Sequence, residues 1–348
     1  MTDLKSMLPE EIQEYLAGIG EKPFRAKQIF RWISAGETDI DNMTDLSVSL
    51  REKLKSECTV TRAKIVSKLV SKIDGTVKYL FELADGEKIE TVFMRYKYGN
   101  TVCISTQAGC RMGCTFCASH INGFRRHLTP AEMLEQVMAA MRDTGEKVKG
   151  IVLMGIGEPL DNYDNVLQFL RLVHHPEGLN ISHRHISLST CGLVDKIDML
   201  AKEKLQITLS VSLHAPNDDI RRQTMPIAKR FSYETLIDAC KRYIEVTNRR
   251  ISFEYALISG VNDSDKDAHQ LGKVLSGMLC HVNLIPVNEV RENGFTRSTK
   301  KAISEFAAEL ERHGIRATVR RKLGGDINAS CGQLRRESEN ITDPETKG

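Results

Sequence analysis

No stretch of this chain approaches the roughly eighteen consecutive apolar residues of a membrane-spanning helix. The opening M-T-D-L-K-S-M-L-P-E-E also lacks the apolar region of a secretory leader. Both absences point to a cytoplasmic protein with no membrane partner. There is no internal repeat beyond an alternation of strand and helix patterns, and no low-complexity tract, so solenoid and linker classes fall away. Charge of one sign is not in excess either: 49 Lys and Arg stand against 46 Asp and Glu, a net +3. What the chain has is 348 residues at 41% hydrophobic content, enough for one large domain with an appendage. Nine cysteines in a compartment that keeps thiols reduced argue for metal, redox or catalytic use rather than a disulfide framework.

The most telling absence is a fourth cysteine. Cys110, Cys114 and Cys117 form C-R-M-G-C-T-F-C, three soft ligands with an aromatic residue before the third. Four thiolates close an iron-sulfur cluster for electron transfer. Three leave one iron open to chelate a small molecule, and C-x3-C-x-aromatic-C is the signature of radical S-adenosylmethionine (SAM) enzymes. The competing reading is a structural zinc site, but zinc takes a closed set of four ligands with cysteines paired at C-x2-C spacing.

Residues 1–60 read as a helical unit, with helices expected over Pro9 to Leu16, Pro23 to Ile33 and Leu46 to Leu54, punctuated by Pro starts and Gly stops. Residues 61–95 read as a β-rich connector split by the Asp74-Gly75 and Asp85-Gly86 turns. From 96 to 326 strands near 101–106, 149–154, 184–189, 206–212, 251–257, 281–286 and 316–320 alternate with helices, which implies parallel strands joined by crossover helices. The fold class expected is α/β, a partial (βα)6 barrel with its chemistry on the loops at the strand C-terminal ends. Residues 327–337 form a Gly- and polar-rich segment suited to catalysis, and 338–348 a tail with little to bury.

Gly157 and Glu158 follow the second barrel strand in G-I-G-E-P, where glycines admit a ligand to a backbone edge and the carboxylate can accept from an ammonium group. A tight βα turn with an exposed acid is the plainer alternative. Ser189, Ser212, Leu213, His214 and Asn288 end successive strands and face the same mouth. Cys331 sits in poor core material, which favours chemistry there. Cys103 stands alone on the first barrel strand, and Cys58, Cys191, Cys240 and Cys280 read as structural. Basic clusters at Arg125-Arg126-His127, His183-Arg184-His185, Arg221-Arg222, Lys229-Arg230, Arg249-Arg250, Arg320-Arg321-Lys322 and Arg335-Arg336 could neutralise a phosphate backbone, although each alone is as well explained by a solvated surface.

Taken with I-E-T-V, V-C-I-S-T-Q-A-G-C-R-M-G-C-T-F-C, M-G-I-G-E-P-L-D-N, L-S-T-C-G, S-L-H-A-P-N-D, L-I-P-V-N and G-D-I-N-A-S-C-G-Q-L, the chain resembles the RlmN family of radical SAM adenine C2-methyltransferases over residues 1 to about 337. The resemblance implies methylation at C2 of adenosine 2503 in 23S rRNA and of adenosine 37 in tRNAs, with a 4Fe-4S cluster and two SAM molecules per turnover; a monomer is expected, although the sequence itself does not fix the oligomeric state. It implies Cys110, Cys114 and Cys117 as cluster ligands, and Gly157, Glu158, Ser189, Ser212, Leu213, His214 and Asn288 as SAM contacts. Cys331 matches the methyl-carrying cysteine, Cys103 the thiol that resolves a protein–RNA adduct through a transient disulfide, and Glu90 the proton acceptor. An external electron donor and a disulfide reductant are then required. Glu90 by itself reads as a solvent-facing acid at a strand end. The related Cfr-type enzymes, which methylate C8 of the same rRNA adenosine, are the alternative; Pro159 and Pro286 favour the C2 family. Arg126-His127-Leu128 departs from the Arg-Asn-Leu expected there and touches no catalytic position.

Overall fold

The computed structural model describes residues 1–287 and 294–329. Of the expected site residues, Asn288 and Cys331 lie outside the described residues, as does the 338–348 tail. Three helices come first: α1 (Pro9–Gly18), α2 (Arg25–Ser34) and α3 (Val48–Glu57). Helix α1 starts where sequence chemistry dictates. Pro9 takes the first position, where a missing N–H costs nothing, and the Glu11 carboxylate accepts from the Leu8 N–H at 2.6 Å. The α1 face carrying Ile12 and Leu16 is fully buried.

Ten strands then form one continuous sheet: β1 (Lys64–Val70), β2 (Val77–Glu82), β3 (Lys88–Tyr96), β4 (Gly99–Cys103), β5 (Val148–Leu153), β6 (Ile186–Thr190), β7 (Thr208–Ser212), β8 (Ile251–Leu257), β9 (Cys280–Pro286) and β10 (Ala317–Val319). Neighbours in the sheet are neighbours in sequence throughout. Strands β1 to β4 pair antiparallel, and β4 to β10 pair parallel. The antiparallel strands of the β-rich stretch over 61–95 are continuous with the parallel barrel sheet. Crossovers are made by α4 (Pro130–Thr144), α5 (Tyr163–His174), α6 (Val194–Lys202), the pair α7 (Asp218–Thr224) and α8 (Tyr233–Thr247), α9 (Asp265–Leu275) and α10 (Lys300–Arg312). That makes six βα units and a short closing strand, the partial barrel expected. Capping sets the crossover bounds: Thr129 and Glu132 cap α4 reciprocally, and Gly145, at φ 68°, ends it.

The N-terminal helices are fastened to the barrel by a charge pair that nothing in the sequence announces. Lys5 Nζ lies 2.5 Å from Glu135 Oε2 of α4, both side chains fully buried, and Arg142 bonds the second carboxylate oxygen. Burial lowers the Lys5 pKa, opposed by the Glu135 charge.

Candidate active site

Every strand from β4 to β9 ends at one edge of the sheet, and the side chains beyond those ends line a cleft with a cavity of about 170 Å³. The three-cysteine loop enters it first. Gln107-Ala108 pairs antiparallel with Arg126-His127, so the intervening segment is a loop tied at its base. Gly109, at φ 79°, must be glycine: a Cβ there would stand 1.7 Å from the Gly123 carbonyl oxygen. The Thr115 N–H donates to the Thr224 carbonyl at 2.9 Å, holding the loop against the end of α7. Cys110, Cys114 and Cys117 all line the cleft. Phe116 packs edge-on against the His214 ring, with centroids 4.7 Å apart, which gives the aromatic of the motif a structural task.

Burial pushes the Cys110 thiol up to about 12 and Cys114 upward as well.

Gly157 and Glu158 sit opposite. Gly157 has φ 112°, and a Cβ there would stand 2.7 Å from the Gln107 Cβ and 2.8 Å from its backbone nitrogen. We expect Gly157→Ala to destabilise the protein by about 2–3 kcal/mol and to weaken SAM binding at least tenfold; denaturant unfolding and equilibrium binding check both, and an unchanged affinity would remove this loop from the site. The Glu158 side chain is buried, which raises its pKa. Its two oxygens accept from the Leu160 N–H at 3.0 Å and the Cys191 N–H at 2.7 Å. The plainer alternative of an exposed turn acid is thus excluded.

Ser189, Ser212 and His214 line the same cleft. Burial drops the His214 pKa to about 3, so the ring is neutral. Its Nδ1 accepts from the Ala256 N–H at 2.8 Å, which leaves the proton on Nε2. Leu213 is fully buried and does not line the cavity; its N–H donates to the Glu254 carbonyl.

A second cavity, about 40 Å³, surrounds Cys103 and shares Met154, Ile285 and Arg320 with the first. Val92 and Met94 of β3 line it, as does Ala329, two positions before Cys331. Glu90 lies on the same face of β3 by the two-residue strand period, but it is not at a strand end facing solvent. It is 3% exposed, and Lys78 Nζ stands 2.5 Å from its carboxylate. That corrects the isolated reading of Glu90. Lys78 also donates to the Asn328 carbonyl at 3.4 Å.

Sequence reasoning missed several lining residues. Cys191, read as structural, lines the larger cavity, and so do Met154 and Glu254, the latter held by the Asn283 amide at 2.7 Å. The basic clusters divide. Arg221 is fully buried and donates to the Cys191 carbonyl, and Arg126 is clamped by Asp85 and Glu132. Arg320, Arg321 and Lys322 instead line the Cys103 cavity with Arg297.

The barrel, the three-cysteine loop and the strand-end cradle define a radical SAM protein. The radical SAM superfamily model matches residues 104–271, and the model for the ribosomal RNA large subunit methyltransferase N-terminal domain matches residues 2–60. The chain is 55% identical over 335 residues, 96% of its length and 98% of the relative's, to a "Probable dual-specificity RNA methyltransferase RlmN" of Alkaliphilus oremlandii. It is 54% identical to a protein of the same description from Desulforamulus reducens, over 97% of both chains. The crystal structure of a radical SAM methyltransferase from Sphaerobacter thermophilus superposes with a TM-score of 0.92 at 45% identity, covering 97% of this chain and all of that one. The chain belongs to the RlmN family of radical SAM methyltransferases. No helix among the described residues is long and apolar enough to cross a membrane.

Proposed function

We propose that this protein methylates C2 of adenosine 2503 in 23S rRNA and of adenosine 37 in tRNAs, with the methyl group carried on Cys331. The observation that carries this reading is that two cavities, one lined by the three cysteines and the other by Cys103, share Met154, Ile285 and Arg320 in their walls. Cys110, Cys114 and Cys117 would hold a 4Fe-4S cluster, and Gly157, Glu158, Ser189, Ser212 and His214 would seat SAM, with Leu213 acting through its backbone and Asn288 completing the set. Bound there, cluster and SAM supply a methyl group and one-electron chemistry, which adenine C2 needs because it is not a workable nucleophile. Two SAM molecules are consumed per product, one for the methyl group and one for the radical.

The chain's own residues do the rest. Neutral His214 presents an Nε2–H donor towards the cleft without adding charge. Cys331 takes the methyl group as thiolate, the reactive form of the side chain. After the methyl carbon has joined C2 and the adduct has given up one electron, for which the oxidised cluster would be the acceptor, Glu90 accepts the C2 proton, and Cys103 attacks the Cys331 sulfur. The S–S bond forms as the S–C bond breaks, its electron pair leaves with carbon, and protonation there completes the methyl group. An external dithiol must reopen the disulfide, and a separate donor must supply the electron.

The test is the product. Anaerobically reconstituted protein, reductant, SAM and an rRNA fragment should give the C2-methyladenosine standard on nucleoside analysis; C8-methyladenosine would put the chain with the Cfr-type enzymes. RNA binding should fall steeply with salt, by about −0.7 to −0.9 in log–log slope per phosphate contact. Replacing Arg321 and Lys322 together by alanine should lower that slope by about 1–2 without changing sequence preference. A salt-independent affinity would show these side chains to be solvated and outside the RNA path.

A further inference from the structure

On the outer face of the barrel, far in sequence from the cysteine loop, α9 and α10 bring three side chains to one point. His269 Nδ1 lies 2.9 Å from Glu309 Oε1, His313 Nε2 lies 3.1 Å from His269 Nδ1, and His313 Nε2 lies 3.3 Å from the same Glu309 oxygen. Glu309 and His313 are four residues apart, the spacing that stacks two side chains on one helix face. The three contacts bring two ring nitrogens and one carboxylate oxygen within 3.3 Å of one another, and each of these atoms can present a lone pair to a common point.

A cation at the centre satisfies all three atoms at once. Zinc at about 2.0–2.2 Å from two imidazole nitrogens and one carboxylate oxygen, in tetrahedral geometry, spaces its ligands about 3.3 Å apart, close to the triangle's edges. We propose that His269, Glu309 and His313 form a binding site for a zinc-class divalent transition metal that clamps α9 to α10, with water in the fourth position.

Two further features fit a built site. Gly272 stands inside α9, where glycine costs about 0.5–1 kcal/mol against alanine. A Cβ there would lie 2.4 Å from the His313 ring, so the glycine makes the space that ring occupies. Arg312 pairs with the other carboxylate oxygen, Oε2 of Glu309, which orients Oε1 towards the two rings. Access is open, since the His269 side chain is 50% exposed. Imidazole and carboxylate together suit zinc, nickel or copper better than calcium or magnesium.

Zinc alone is the probe, added to tag-free, cluster-loaded enzyme under anaerobic conditions, followed by desalting and elemental analysis of zinc and iron. Wild type should retain one zinc per chain and show a higher thermal midpoint with zinc than without. His269→Gln and His313→Asn should each lose that zinc and the thermal shift while keeping the full iron content. Gly272→Ala, which displaces the His313 ring, should weaken zinc binding at least tenfold. Zinc retained equally by wild type and both histidine variants would place the ion on cysteines and overturn the site, as would a wild type that retains none. RNA methylation enters neither readout, so the outcome is independent of the proposed function.

Discussion

Cys103→Ala will load methyl normally, add it to RNA and then stop, accumulating protein joined covalently to RNA through Cys331; Cys331→Ala will never load and will form neither adduct nor product. The two variants fail on opposite sides of one bond-forming step, which a structural role for either thiol would not produce. Cys103 is 6% exposed and belongs to a small apolar cluster with Val92, Met94 and Ile156, apart from the main core. Alanine in its place removes one sulfur from a packed site and should cost about 1 kcal/mol or less, by analogy with other single-group deletions. Folding is therefore not the expected casualty. Ala329 lines the cavity around Cys103, so the chain leading to Cys331 already reaches this point. For the disulfide to form, the two Cα atoms must approach to about 4.4–6.8 Å. Denaturing electrophoresis of labelled RNA with each variant reads the adduct directly. Normal turnover by Cys331→Ala, or Cys103→Ala that stalls without an adduct, would require another route for the methyl group.

How much of this site could be read from sequence depends on whether its cause was local. The strand from Ile251 to Leu257 was legible to the residue because the alternation of Ile251, Phe253, Tyr255 and Leu257 needs no distant information. The three-cysteine loop was legible because ligand chemistry fixes its spacing. Glu90 was not. Strand β3 is buried on both faces from Ile89 to Met94, so no alternation marks which side Glu90 takes, and its cation arrives from β2 across the sheet. Arg221 and Arg126 were read as part of possible RNA grips for the same reason: the groups that engage them, the Cys191 carbonyl, Asp85 and Glu132, are brought there by the fold. Cys191 looked like an inert core thiol because burial is the usual fate of a lone cysteine. Only the strand ends converging at one edge show that buried and cavity-lining are here the same position.

Lys78→Met will slow release of methylated RNA about 100-fold while leaving SAM binding and methyl loading close to normal, and Lys78→Arg will recover most of the loss. Glu90 of β3 pairs with Leu80 of β2, and Lys78 lies two residues before Leu80 on the same strand face. Its ammonium stands 2.5 Å from the Glu90 carboxylate, with side chains 11% and 4% exposed. In the proposed reaction Glu90 takes a proton from carbon, a task that needs both a fixed position and a counter-charge that favours the ionised carboxylate beforehand. Lys78 supplies the charge. Its bond to the Asn328 carbonyl also ties that position to the segment leading to Cys331. General base catalysis is worth about 10²–10⁴ in rate, and losing the ion pair should remove the lower part of that range. Removing one partner of a buried pair costs about 3–5 kcal/mol in stability, so Lys78→Met should also melt earlier, and Lys78→Arg serves as the folded control. Lys78 acts here as a positioning residue. A purely structural role would lower all steps together, whereas loss of the counter-charge should slow release alone. Single-turnover loading and release measured separately in the variants distinguish the two, and unimpaired release in Lys78→Met would assign the proton to another acceptor.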